Sequence, residues 1–289
     1  MNYLVISPYY PQNFQQFSIE LANKGITVLG IGQEPYEQLD EPLRNSLTEY
    51  FRVDNLENID EVKRAVAFLF YKHGPIDRIE SHNEYYDFGM IDACASFIEE
   101  GRVQFFTLSS VDSESWLATW KNGHDQAEMH RAYERYVIEE AIPFIKHKTG
   151  WFDGMMTTGC SMGAYHALNF FLQHPDVFTK VIALSGVYDA RFFVGDYYND
   201  DAIYQNSPVD YIWNQNDGWF IDRYRQAEIV ICTGLGAWEQ DGLPSYYKLK
   251  EAFDQKQIPA WFAEWGHDVA HDWEWWRKQM PYFLGHMSL

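Results

Sequence analysis

Basic residues are scarce in this chain. Its 289 residues hold 22 Lys and Arg against 42 Asp and Glu, a formal net charge of −20. A field of that sign repels nucleic-acid phosphates and anionic membrane surfaces, so neither is expected as a partner. Cysteine is scarcer still, with only Cys94, Cys160 and Cys232. An odd number argues against a disulfide framework, and none stands at a metal-type spacing. Each therefore reads as a small core residue, and no metal or other cofactor is expected. No apolar run approaches the length needed to cross a bilayer. The first eight residues carry neither the basic segment nor the long apolar stretch of a signal peptide, which makes the cytoplasm the expected location. Aromatic residues, by contrast, are plentiful: 11 Trp, 20 Tyr and 20 Phe, or 18% of the chain. They can fill a large core, or line a pocket for an aryl or apolar acyl group. A chain of this length buries a full core, as one large α/β domain or one and a half smaller ones.

Chemistry is concentrated at Gly159-Cys160-Ser161-Met162-Gly163. This G-x-S-x-G pentapeptide follows an apolar strand-like run, Met155 to Thr158, and opens into the helix-like Ala164 to Leu172. Strand, sharp turn and helix in that order are the context of a nucleophile elbow in an α/β-hydrolase sheet. The flanking glycines permit a strained turn that lifts the Ser161 hydroxyl clear of the sheet. The amide of Met162, at the helix start, then points toward a developing oxyanion.

A triad on such a sheet runs Ser, then Asp or Glu, then His along the chain. After strand-like runs at 181–186 and 228–234 comes a loop holding Glu239 and Asp241, both candidates for the acid. A further run, Ala260 to Trp265, leads to His267 and His271, both candidates for the general base. Histidines four apart also invite a metal reading, but no Glu base lies between them. Gly234-Leu235-Gly236 follows a strand, yet Glu239 occupies the third glycine position of a dinucleotide fingerprint, which excludes that ligand.

The first eighty residues follow a different pattern. Strand-like Tyr3–Ile6, Ile26–Ile31, Tyr50–Val53 and Ile76–Glu80 alternate with helices expected at Asn13–Lys24 and Ile59–His73. The second helix carries Val62, Ala65, Val66 and Leu69 at helical spacing and is closed by Gly74-Pro75. Alternation of this kind implies parallel, Rossmann-like winding. The loop after the first strand, Ser7 to Pro11, has two prolines and no glycine, so it offers no phosphate cradle.

Several stretches carry a family resemblance: Asp87 to Ile91, Ser110 to Trp116, Gly159 to His166, Ala183 to Asp189, Asn206 to Tyr211 and His271 to Arg277. On these, the segment from about Tyr85 to Leu284 resembles the putative esterase family related to esterase D and enterobactin-type esterases. The resemblance implies an α/β-hydrolase fold and a serine carboxylesterase. It favours His271, in the His-Asp-Trp motif, as the base and Glu239, after the preceding strand, as the acid. The first 85 residues, including Ile79 to Glu84, more loosely resemble the N-terminal domain of ATP-grasp proteins, whose nucleotide-binding core is absent here. The expected organisation is thus a Rossmann-like segment over 1–84 and an esterase body over 85–289: a mostly parallel sheet with helices on both faces.

The junction bears on mechanism. The second oxyanion amide of this fold comes from the loop before the helix expected over Asp87–Glu100. Here that loop is Ser81 to Tyr86, without the family's glycines. Asn83 is the expected donor in their place, whereas Glu84 aimed at the same point would repel the oxyanion. Sheet order is also in tension, because a hydrolase strand flanked on both sides cannot also pair as a Rossmann unit requires. An altered order, or strand exchange in a homodimer, would relieve it.

Two segments are expected to shape the substrate. Residues 189–225 form a long polar and aromatic insertion that reads as a lid, and the Asp112 to Trp116 loop follows a strand expected at Phe105–Leu108. Trp116, Tyr197, Trp213 and Trp238 are the candidate substrate contacts. Two functions follow. One is hydrolysis of a small or aromatic ester through an acyl-enzyme on Ser161. The other is a catalytically impaired hydrolase fold serving as a binding or assembly module.

Overall fold

The computed structural model describes residues 1–9, 15–56, 58–81 and 88–289, and the chain divides into two compact units, Met1–Phe88 and Gly89–Leu289. The first holds strands β1 (Asn2–Ile6), β2 (Thr27–Gly32), β3 (Glu49–Arg52) and β4 (Arg78–Ser81), ordered β3-β2-β1-β4 with every pairing parallel. Helices Gln15–Asn23, Glu41–Ser46 and Ile59–His73 connect them. The last of these matches its sequence signals. Asn58 accepts hydrogen bonds from the amides of Asp60 and Glu61 at the start, while Gly74, at φ 85°, ends it. Ala65 and Leu69 are fully buried on its sheet-facing side.

The second unit contains β5 (Met155–Cys160), β6 (Phe178–Leu184), β7 (Glu228–Thr233) and β8 (Trp261–Glu264) in sequential order, again all parallel. Val181 and Ala183 on β6 and Ile229 and Ile231 on β7 enter one core with helices Met162–Gln173, Gly218–Gln226 and Leu243–Lys256. The alternating residues Ile182, Leu184, Val230 and Cys232 are 2% exposed or less. Burial on both faces is what a parallel sheet between helix layers demands. The helix Trp273–Leu284 packs against β6, and Met280 takes a hydrogen bond from Thr158 on β5. The fold is therefore α/β. Each sheet satisfies its own order, so the tension over sheet order dissolves and strand exchange is not needed to relieve it.

Three expectations are corrected. Among the described residues Phe105–Leu108 joins no sheet, since an apolar run becomes a strand only where a neighbour takes its backbone hydrogen bonds. The helix expected over Asp87–Glu100 is two short helices, Met90–Ala93 and Ala95–Glu99, broken at Cys94, where φ is −101° and ψ 8°. The insertion at 189–225 is not a free lid. It forms helices Arg191–Val194, Asp201–Gln205, Pro208–Asn214 and Gly218–Gln226, and Val209, Ile212 and Tyr224 anchor it in the main core. All three cysteines are buried and free. No helix among the described residues is long and apolar enough to cross a membrane.

Candidate active site

Ser161 sits where β5 ends and the Met162–Gln173 helix begins, with φ 55° and ψ −119°. A non-glycine residue held at positive φ in a tight turn is strained, and the surroundings must enforce it. The Ser161 amide donates to the Leu184 carbonyl over 2.9 Å, extending the sheet ladder, while the Ser161 carbonyl accepts from Ala164 in the first helical turn. Gly159 makes the crossing possible: a Cβ there would lie 2.2 Å from the backbone carbonyl of Gly163. The missing side chain of Gly159 thus serves the close approach of strand to helix.

His271 reaches this turn from the segment after β8. Its Nε2 is 2.8 Å from Ser161 Oγ, and its Nδ1 is 3.5 Å from Glu239 Oε2. Glu239 cannot donate as a carboxylate, so Nδ1 carries the ring proton and Nε2 presents a lone pair to the serine hydroxyl. The His271 amide donates to the Ala237 carbonyl over 2.9 Å, tying its loop to the one that holds Glu239. Trp276 closes the other side of the imidazole, ring to ring at 4.9 Å and 83°.

Glu239 is 1% exposed. Burial pushes its carboxyl up, but hydrogen bonds from His271 and Ser185 outweigh burial and hold it below the ordinary range. Ser185 Oγ donates to Oε1 over 2.7 Å and in turn accepts from Trp276 Nε1 over 3.0 Å. Thr233 Oγ1 lies 3.2 Å from Oε2 and 3.0 Å from the Gly234 carbonyl, so its single proton has two acceptors. Ser185, Thr233 and Trp276 escaped the sequence reading. The available signal was position, since Ser185 and Thr233 stand at the carboxyl ends of β6 and β7, the edge where open α/β sheets gather ligand groups.

The other candidates are placed as follows. Met162 occupies the first position of its helix, where a backbone N–H has no intrahelical partner. Asn83 and Glu84, with the rest of residues 82–87, lie outside the described residues, as do Tyr10 and Pro11 of the loop after β1. Asp241 and His267 are exposed, and neither joins Ser161. The segment around His267 and His271 is not helical, so the shared face that a metal reading needs is missing. Among the described residues no group of three His, Cys, Asp or Glu is placed to hold a metal ion. Burial pushes the thiols of Cys160 and Cys232 well above the usual range.

Of the four ring candidates, Trp116 is corrected. It is 2% exposed and packs in a cluster with Tyr165 and Phe193, so its area is spent on core packing. Trp213 is partly buried against the main core. Tyr197 donates its hydroxyl to Asp210 over 2.6 Å and takes the Arg191 guanidinium over its ring at 5.2 Å. Trp238, next to Glu239, is 81% exposed at φ 68°.

The sequence pattern of the family described as "Putative esterase" matches residues 76–287. No curated protein matches the sequence. Among solved structures, a ferulic acid esterase is 23% identical over 53% of this chain and 60% of its own, with a TM-score of 0.44. An S-formylglutathione hydrolase from Agrobacterium tumefaciens is 17% identical over 53% of this chain and 55% of its own, with a TM-score of 0.43. The Staphylococcus aureus S-formylglutathione hydrolase is 20% identical over 56% of this chain and 64% of its own, at a TM-score of 0.40. The chain thus spans less than two thirds of the length of each of these proteins.

Proposed function

The chain belongs to the "Putative esterase" family, and from that premise we propose that it is a serine carboxylesterase acting on small or aryl esters, with Ser161 as nucleophile, His271 as general base and Glu239 as the orienting acid. The observation that carries the reading is the continuous contact from Ser161 Oγ through the His271 ring to the buried Glu239 carboxylate.

In the first half-reaction Ser161 Oγ attacks the ester carbonyl carbon while His271 Nε2 takes the hydroxyl proton. The ring becomes an imidazolium whose charge Glu239 stabilises. The carbonyl oxygen carries the negative charge of the tetrahedral intermediate and accepts from the Met162 N–H. As the C–O bond to the alcohol breaks, the imidazolium gives its proton to the departing alkoxide. Water then enters by the same route, with His271 again as base, and releases the acid and free Ser161. Each lost oxyanion donor typically costs about 100- to 1,000-fold in rate. Trp238 supports the aryl preference, since an exposed ring beside the acid can stack on a flat acyl or leaving group.

The test is hydrolysis of p-nitrophenyl acetate by the purified protein beside its Ser161→Ala variant. Turnover in the wild type that falls by about 10⁴-fold or more in the variant is expected. Equal background rates in both would sink the reading and leave the impaired binding module in its place.

A further inference from the structure

A second line of ionisable groups runs through the unit that holds Ser161, and the esterase mechanism does not use it. Asp112, in the Ser110 to Trp116 loop, accepts from Ser110 Oγ over 2.6 Å and faces His166 Nε2 at 2.9 and 3.1 Å. His166 Nδ1 is 3.0 Å from His130 Nε2, and His130 Nδ1 is 2.9 Å from Asn206 Oδ1. His130 and Asn206 are fully buried, and His166 is 8% exposed. The planes of the two imidazoles are 14° apart with their centroids at 5.1 Å, the edge-to-edge arrangement that a nitrogen-to-nitrogen hydrogen bond requires.

These contacts fix a proton count. Three hydrogen bonds join Asp112, His166, His130 and Asn206 in series, and each needs one proton. The carboxylate at one end supplies none. At the other end Asn206 Nδ2 donates to the Ala202 carbonyl over 2.9 Å, so its Oδ1 must be the atom facing His130. That oxygen supplies none either. Two neutral imidazoles together carry only two protons. The third makes one of them an imidazolium.

We propose that His166 is that imidazolium, and that the Asp112–His166 pair, braced by neutral His130, is a positioning clasp that docks the Ser110 to Trp116 loop on the helix starting at Ser161. The assignment to His166 follows from its neighbours. His166 touches the one carboxylate in the chain of contacts, whereas His130 has only His166 and an amide oxygen. Burial, followed by the charge of His166, pushes His130 down to about 3. Asp112 is held below its ordinary range: burial opposes this, and the hydrogen bond and charge of His166 together with the Ser110 hydrogen bond outweigh it. The other titratable groups at this point are Tyr133, edge-on to His166 at 5.7 Å, and Tyr165 on its own helix. Both phenols are pushed up by burial and by the Asp112 charge, so both stay neutral. Glu134, on the helix Gly123–Tyr136 that also carries His130, is paired with His174 at 2.7 Å.

The position of His166 links the clasp to the reaction. It lies four residues after Met162, one turn along the same helix face. The loop it grips also presses Trp116 against Tyr165, in the cluster on which the Met162 side chain packs. A loosened loop therefore reaches the first helical turn, whose Met162 amide the oxyanion requires. Displacement of a catalytic group by ~1 Å can cost about 100-fold in rate. This catalytic half of the proposal rests on the serine-esterase reading; the proton count does not.

The proton count is read by ¹⁵N NMR of the histidine side chains at neutral pH. His166 should show both ring nitrogens protonated and His130 only Nδ1. In Asp112→Asn, an amide can turn its Nδ2–H toward His166 Nε2, so all three bonds survive with neutral rings, and the Nε2 signal should move to the unprotonated range. Asp112→Ala should lower kcat by about tenfold or more with KM little changed, and Asp112→Asn should recover most of that loss. A wild-type His166 with one bare nitrogen, or Asp112→Ala with the wild-type kcat, overturns the proposal. Ser161→Ala runs alongside on p-nitrophenyl acetate. If it matches the wild type, the esterase reading has failed, while the NMR spectra still decide the protonation of His166.

Discussion

Ser185 Oγ donates to Glu239 Oε1 over 2.7 Å, a shorter contact than the 3.5 Å between His271 Nδ1 and Oε2. The acid of the candidate triad is thus gripped more tightly from behind than by the histidine it orients. Hydrogen bonds to a charged group contribute about 1.5–3 kcal/mol. Ser185→Ala should accordingly destabilise the fold by roughly that amount at neutral pH. The pH dependence has a definite sign. Glu239 lies below its ordinary range when folded, so its stabilisation is complete above the unfolded value and is lost as pH falls through the folded one. Removing the Ser185 bond raises the folded value, so acid unfolding should begin at higher pH in the variant. Urea unfolding across a pH series measures both effects, and superimposable curves would rule them out.

The two glycines of the elbow should behave oppositely. A Cβ on Gly159 meets the Gly163 carbonyl at 2.2 Å, and backbone on both sides leaves nowhere to move, whereas a Cβ on Gly163 has nothing within 4 Å. Gly159→Ala should cost at least about 1–3 kcal/mol through overpacking. Gly163→Ala should stabilise the helix by about 0.5–1 kcal/mol. Thermal melts of the two variants decide this, and equal losses in both would contradict the geometry.

Sequence and structure agree best where a local rule suffices. The helix over Ile59–His73 could be read from the spacing of Ala65 and Leu69 and from Gly74, because periodicity and helix termination act within a few residues. The order of the candidate site, Ser161 then an acidic loop then a histidine pair, was legible for a similar reason: each follows a strand-like run, and strand ends in a parallel sheet meet at one edge. The choice of Glu239 over Asp241 and of His271 over His267 came instead from the family resemblance. What escaped was set by distant partners. Nothing in its neighbours tells that Trp116 packs on Phe193, 77 positions on, or that Trp276 donates to Ser185. The misplaced strand at Phe105–Leu108 has the same origin, because pairing depends on a neighbour that the run itself does not encode. The insertion at 189–225 read as a lid for its position after a strand, yet Ile212 and Tyr224 are fully buried in the main core.

The ring residues separate into packing and contact, and two substitutions should show it. Trp116→Ala removes a buried indole from a cluster of aromatic rings and should cost about 3–5 kcal/mol. Trp238→Ala removes an exposed one and should leave stability within about 0.5 kcal/mol. If Trp238 stacks on aryl substrates, its loss should raise KM for an aryl ester and leave that for an acetate of a small alcohol unchanged. Steady-state kinetics on the two esters would expose the opposite, an equal effect on both.

The same hydrogen bonds make Glu239→Gln an informative change, because the amide cannot turn freely. Trp276 Nε1 already donates to Ser185 Oγ, so the serine proton is directed at residue 239 and requires an oxygen there. The substituted amide must then place its carbonyl toward Ser185 and its NH₂ toward His271. Facing a donor, His271 Nδ1 gives up its proton, the ring becomes the Nε2–H tautomer, and Ser161 loses its base. Wrong-tautomer substitution in a triad costs about 10⁴-fold in kcat while the geometry stays intact. Thr233 tolerates the swap, since its hydroxyl can accept from the NH₂ and donate to the Gly234 carbonyl. Adding Ser185→Ala to Glu239→Gln removes the group that fixes the amide, so the carbonyl can swing to His271 and part of the rate should return. A double variant slower than Glu239→Gln alone would show that Ser185 does not set the orientation of the acid.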